Sequence, residues 1–199
     1  MCSLKAPYRR AKKSDAAEMV ELINFAGEGL PLYLWSSLSD GSQSVWDVGR
    51  ERAQREAGSF SYRNTIVCEN GGKAVAALVG YPLADELDPD VYQDMPAMFV
   101  PLQELEDLAL STWYVNVLAA YPEHRGHGYG TELLRIAEQQ AIQAGCRGLS
   151  IIVSDANIGA RRLYERCGFR EKAQRQIVKD DWEHAGENWV LLTRQFDTR

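Results

Sequence analysis

Residues 118–134 read Leu118-Ala119-Ala120-Tyr121-Pro122-Glu123-His124-Arg125-Gly126-His127-Gly128-Tyr129-Gly130-Thr131-Glu132-Leu133-Leu134. An aromatic and β-branched run from Trp113 leads into this stretch and predicts a strand over 113–120, ended by Tyr121-Pro122. Glycines then stand at every second position from Gly126 to Gly130. From Thr131 to Ala144 the pattern turns helical, with Leu133, Leu134, Ala137, Ala141 and Ala144 on one face and Gly145 as its cap. Strand, glycine turn and helix together outline an anion site. Glycines let a ligand approach backbone N–H groups without an intervening Cβ. The helix start adds unpaired donors and the positive end of its dipole, which suits a phosphate group. Arg125 contributes a fixed charge and a forked donor.

Outward from this stretch the chain alternates. Tyr8 to Lys12 reads as a short strand, and Asp15 with Glu18 as a capping box opening a helix that ends at Gly27 and Gly29. Leu30 to Gly41 reads as loop, and Ser44 to Ala57 as a second helix. Thr65 to Glu69 and Lys73 to Tyr81 flank Asn70-Gly71-Gly72, the signature of a hairpin. An acidic insertion at about 82–110 carries Asp85, Glu86, Asp88, Asp90 and Asp94. On the other side come a strand at 149–153, a helix at 157–166 stopped by Gly168, and closing strands at 174–179 and 189–194. This order predicts one mixed α/β domain over 1–199.

Two phosphate loops fit poorly. A Walker A loop needs a Lys after its last glycine, and here Thr131 follows Gly130. The dinucleotide fingerprint needs a third glycine where Thr131 stands. The stretch Arg125-Gly126-His127-Gly128-Tyr129-Gly130, preceded by Pro122 and Glu123, instead resembles the GNAT superfamily of acetyl-CoA-dependent N-acetyltransferases. A second motif is similar to that family's: Asn157, Ala160, then Leu163-Tyr164-Glu165 and Gly168-Phe169. The likeness is close over Trp113 to Phe169 and rests on strand order outside it.

The resemblance implies a GNAT acyltransferase fold, a mixed central sheet flanked by helices, with acetyl-CoA as cosubstrate. The backbone of Leu118, Ala119 and Ala120 would pair with the pantetheine arm as an added strand would. Arg125, Gly126, His127, Gly128, Tyr129, Gly130 and Thr131 would cradle the pyrophosphate. Asn157 would bond the pantetheine arm, and Tyr164 would lie near the thioester sulfur as the catalytic residue. Helix geometry agrees in part. Asn157 and Tyr164 are two turns apart on one face, and Arg161 shares it. Other readings stay open: Tyr164 as a packed core residue, Asn157 as an N-cap, Arg161 and Arg162 as a solvated face. No carboxylate stands at Tyr114, Asn116 or Leu118, where some family members carry one. A base is therefore sought among Glu69, Glu104, Glu106 and His184, or in a water relay.

Composition bounds the rest. The 199 residues carry 22 Lys+Arg against 28 Asp+Glu, a net charge of -6, so the basic excess of a nucleic-acid binder is missing. No apolar run approaches the roughly 20 residues that span a bilayer, and Met1 to Lys13 reads as no secretory signal. Cys2, Cys68, Cys146 and Cys167 form no C-x-x-C pair, which predicts free thiols in a cytoplasmic protein and no metal site. The expected acceptor is the primary amine of a small molecule. A protein lysine or N-terminal amine is the alternative, and a non-catalytic acetyl-CoA-binding module is the reading from another class. Homodimers occur in such folds, but nothing in the sequence points to one here. The acidic excess concentrates in the insertion, whereas Arg125, His127, Arg161, Arg162 and Arg166 make the expected cofactor segments basic.

Overall fold

The computed structural model describes residues 4–196. Cys2 lies outside them. The elements are β1 (Tyr8–Arg10), α1 (Ala16–Ala26), α2 (Leu30–Leu38), α3 (Val45–Ala53), β2 (Thr65–Asn70), β3 (Lys73–Pro82), α4 (Val100–Asp107), β4 (Trp113–Ala120), α5 (Tyr129–Gln143), β5 (Gly148–Ser154), α6 (Ile158–Arg166), β6 (Arg170–Gln176) and β7 (Asn188–Gln195). The strands hydrogen-bond in the order β1-β2-β3-β4-β5-β7-β6. This is the mixed α/β class the element order predicts.

The chain divides into two compact units. One takes the residues up to Tyr81 with Asn116–Ile136, the other Pro82–Val115 with the chain from Ala137 on. In the first unit β1, β2 and β3 form an antiparallel meander, with Tyr8 opposite Cys68 and Thr65 opposite Val79. Its core joins Met19, Leu22 and Ile23 of α1 and Trp35 of α2 to Val67, Val79 and Val117. In the second unit β4 pairs with β5 in parallel at Trp113↔Leu149 and Tyr114↔Ser150. β7 lies antiparallel between β5 and β6.

Several expectations need correction. Leu30 to Leu38 is a helix, not a loop. Pro31 sits in its first turn, where a missing N–H costs nothing, and burial of Leu30 and Trp35 holds it in place. Three helices therefore precede the hairpin. Asp15 precedes α1 but does not cap it with its side chain. The carboxylate turns back to the Lys12 N–H at 2.7 Å and takes a forked bond from Arg9 at 2.7 and 2.9 Å. A full guanidinium charge outcompetes a helix N–H for a carboxylate. Ala144 lies beyond the end of α5 and is exposed, and Ile136 joins the buried face instead. The first closing strand starts at Arg170 rather than Gln174, because Phe169 is fully buried and leads the chain straight into the sheet.

Candidate active site

The loop after β4 belongs to the first unit. It is pinned at its entrance by Tyr121, whose N–H donates to Val75 O at 3.1 Å and whose hydroxyl donates to Glu21 at 2.6 Å. Burial and that carboxylate push the Tyr121 hydroxyl well above the ordinary tyrosine range. A single 3-10 turn follows over Pro122–His124. Gly126 and Gly128 then take φ of +80° and +82°, a left-handed geometry that costs other residues about 1–2 kcal/mol. A Cβ at either would meet nothing within 4 Å, so space is not the constraint there. The effect is to turn one N–H after another outward. Among the described residues, the N–H groups of Gly126, His127, Gly128, Tyr129, Gly130 and Thr131 have no backbone acceptor; the next, that of Glu132, bonds Gly128 O at 3.1 Å. Such a run of open donors at a helix start fits a bound anion.

The side chains of the loop are placed less simply. Arg125 is exposed, and its Nε donates to Ala120 O at 3.2 Å, tying the loop to the end of β4. His127 Nδ1 lies 3.1 Å from His124 O and 3.0 Å from Arg125 O. Two carbonyl neighbours require a proton on Nδ1, so neutral His127 presents only an acceptor at Nε2. It donates to phosphate only in its charged form. Its ring stacks on Tyr129 at 5.9 Å. In β4, Val115 and Val117 are buried, while Asn116, Leu118, Ala119 and Ala120 are half-buried. Asn116 donates to the Tyr81 hydroxyl at 3.0 Å.

The second motif belongs to the other unit. Asn157 is the N-cap of α6, its Oδ1 accepting from the Ala160 N–H at 3.1 Å. Asp155 ties the preceding turn to β7. Burial alone would push its carboxyl up, but bonds from the Asn188 side chain and the N–H groups of Glu187 and Asn188 hold it below the usual range. Tyr164 is 4% exposed and its ring lies 5.9 Å from that of Phe169. Arg161 pairs with Glu171 at 2.8 Å, while Arg162 and Arg166 are exposed. Three carboxylates of the acidic insertion bond locally: Asp85 accepts from Ser111 at 2.7 Å, Asp88 from the Asp90 N–H at 3.0 Å and Asp90 from Gln93 at 2.6 Å. Cys68, Cys146 and Cys167 are free thiols. Among the described residues no group of three or more His, Cys, Asp or Glu is placed to hold a metal, and no helix is long and apolar enough to cross a membrane.

Two further features stand out. One is a groove of about 560 Å³ in the first unit, lined by Gly29, Leu32, Tyr33, Ser36, Val45 and Trp46. It falls within Phe25 to Trp46, the aromatic stretch whose sequence suggests one wall of a substrate cleft, and its shape depends on α2, which the sequence suggests is a loop. The other is the environment of Glu106. Its carboxyl is desolvated by burial and repelled by Asp107, and its pKa is pushed up to about 7. Nothing in the residues around it signals this, because burial is a tertiary property.

Comparison with known proteins bears on the family and the fold. The model of the acetyltransferase (GNAT) family matches residues 32–169. An uncharacterized N-acetyltransferase, YycN of Bacillus subtilis (strain 168), is 43% identical over 58 residues, 29% of this chain and 37% of the relative, so the match spans well under two thirds of that protein's length. A crystal structure of an acetyltransferase superposes with a TM-score of 0.64 at 22% identity, covering 97% of this chain and 99% of the other. A GNAT family acetyltransferase from Elizabethkingia anophelis, crystallised with acetyl-CoA bound, gives a TM-score of 0.50 at 18% identity over 66% of this chain and 75% of its own. At such identities the superpositions speak for the fold.

Proposed function

The chain belongs to the acetyltransferase (GNAT) family, and from that premise we propose that it moves the acetyl group of acetyl-CoA directly onto a primary amine, in the first place that of a small molecule. The observation that carries the donor half is the run of open N–H groups from Gly126 to Thr131. They bind the pyrophosphate, with Arg125 adding charge. Backbone groups of Leu118 to Ala120 pair with the pantetheine arm, and Asn157 adds a hydrogen bond to it. For the acceptor, the groove at Tyr33 and Trp46 is of small-molecule size.

Transfer has two proton problems. An alkyl amine of pKa about 10.4 is neutral in about one molecule in 2,500 at pH 7, an expense of roughly 4.6 kcal/mol. The leaving thiolate needs a proton or a hydrogen bond. From a tyrosine near pKa 10 to a thiol near 8.5, full transfer is uphill by roughly 2 kcal/mol. Tyr164 therefore donates a short hydrogen bond and shares its proton as the C–S bond breaks.

Titration calorimetry with acetyl-CoA, followed by thiol release with spermidine, phenethylamine, free lysine and a short peptide with a free N-terminus, tests this reading. Binding together with turnover of a small amine is expected. Failure to bind acetyl-CoA sinks the proposal. Turnover of the peptide alone moves the acceptor to proteins, and tight binding with no turnover favours a non-catalytic module.

A further inference from the structure

Helix α6 has little core of its own. Of its nine residues, Tyr164 is the one that is buried. Packing supplies most of a short helix's stability, so a helix with so little of it is placed by whatever holds its ends. Near its start α6 is held by the Asn157 cap and by Arg161, which donates to Glu171 of β6 at 2.8 Å.

Its end closes in a backbone motif. Gly168 stands just past the helix at φ +88°, the left-handed region that favours glycine. The Gly168 N–H donates to Glu165 O at 3.0 Å and the Phe169 N–H to Tyr164 O at 3.0 Å. These are the two bonds of a Schellman cap, and the apolar contact that accompanies such a cap is here Phe169 against Tyr164, with ring centres 5.9 Å apart. Tyr164 therefore belongs to the cap twice, through its carbonyl and through its ring.

One side chain of the sheet grips this cap. Arg194 of β7 lies opposite Leu149 of β5. Its carbonyl comes so close to Gly148 that a Cβ there would sit 2.4 Å from it, so its backbone has no room to shift. From that fixed point the side chain reaches the end of α6. Nη1 donates to Cys167 O at 3.0 Å, where a cation also suits the negative end of the helix dipole. The guanidinium lies 5.8 Å from the Phe169 ring centre and 6.0 Å from that of Phe196, within cation–π range. The stem closes over Gly168, where an added Cβ would meet Arg194 Cδ at 3.2 Å. Nη2 is buried 2.7 Å from Glu138 of α5, a contact of opposite charges without hydrogen-bond geometry.

We propose that Arg194 is a positioning residue for acetyl transfer: from β7 it clamps the cap of α6 and so sets the place of the Tyr164 hydroxyl. This rests on the transfer, and on the role of Tyr164, proposed above. An arginine kept for its ion pair would aim its fork at the carboxylate. Arg194 instead spends a directed bond on the carbonyl that ends α6, and Glu138 only balances its charge. The consequence is geometric. A tyrosine hydroxyl stands at the far end of its ring, so a small rotation of the helix moves it further than the backbone moves. A displacement of about 1 Å in a reacting group can cost about 10²-fold in rate.

The test is a cycle of variants of the full chain. Thiol release is measured with phenethylamine, or with the panel amine that turns over, in Arg194→Met, in Tyr164→Phe and in the double variant. Arg194→Met keeps a stem over Gly168 and removes the clamp. It is expected to lower kcat about 10-fold with acetyl-CoA affinity unchanged. In the Tyr164→Phe background the same change is expected to cost less than about 2-fold, because the two residues act as one unit. Glu138→Gln removes the ion pair, leaves the bond to Cys167 O and is expected to keep kcat. Arg194→Lys retains the charge without the fork and is expected to fall between; it carries the same comparison if Arg194→Met does not fold. A normal kcat in the Arg194 variant, an equal loss in the Tyr164→Phe background, or an equal loss in Glu138→Gln overturns the proposal. Where Tyr164→Phe keeps a normal kcat, or no amine turns over, the chemistry assigned to Tyr164 fails separately, and the clamp is read from the ring itself. In carbon NMR of labelled tyrosine, the Tyr164 signal, identified by its loss in Tyr164→Phe, is expected to shift or broaden in Arg194→Met and to stay in place in Glu138→Gln. An unmoved signal in Arg194→Met overturns the clamp. Loss of acetyl-CoA binding in wild type sinks the underlying reading instead.

Discussion

The loop at 125–131 and the turn and helix at 154–164 carry the two halves of one family signature in opposite ways. The first offers backbone: glycines at positive φ, exposed side chains and six N–H groups without a backbone acceptor. The second offers side chains, each held in place: Asn157 as a cap, Asp155 bonded to β7, Tyr164 buried against Phe169. A site made of backbone tolerates side-chain replacement but not a change of φ. A site made of side chains does the reverse.

That contrast breaks or holds under substitution. The largest effect is expected from Tyr164→Phe, which keeps the packing and removes the donor: kcat falls by about 10²-fold with acetyl-CoA affinity unchanged. A normal kcat in steady-state thiol release removes Tyr164 from the chemistry. Next comes Gly128→Val. The added side chain meets no steric obstacle, so the loss is conformational, and calorimetry should show acetyl-CoA binding weakened roughly 5- to 30-fold. Undiminished binding would mean that the loop geometry is incidental. Asn157→Ala removes a cap and should cost about 1 kcal/mol in denaturant unfolding, whereas His127→Ala in the loop should cost nothing measurable there.

The smallest effect separates the regions by pH. Asp155 has its folded pKa depressed, so its contribution to stability is full above the unfolded value and fades as pH falls through the folded one. Asp155→Asn should therefore lower the melting temperature at pH 7 and converge with wild type toward pH 3. A difference that persists at pH 3 would mean that the carboxylate charge is not what holds the turn.

Much of this architecture was legible beforehand. The hairpin at Asn70-Gly71-Gly72, the strand at Trp113 to Ala120 and the cap at Asn157 all follow from local rules, and the structure has them. Helix α2 was not legible. Its glycine-rich approach and its Ser36, Ser37 and Ser39 read as loop, and only burial of Leu30 and Trp35 against the first unit's core favours the helix. Asp15 failed for a related reason: the local pattern promised a cap, and Arg9, brought near by β1, took the carboxylate instead.

For the chemistry the same division holds. The spacing of Gly126, Gly128 and Gly130 determined by itself that a strand would hand over to a helix through a loop with open N–H groups, since backbone conformation there depends on neighbours along the chain. The raised pKa of Glu106, by contrast, came from tertiary structure alone. The ionisation of a carboxyl depends on how much water and which charges surround it, and those are set by which helix packs on which face of the sheet.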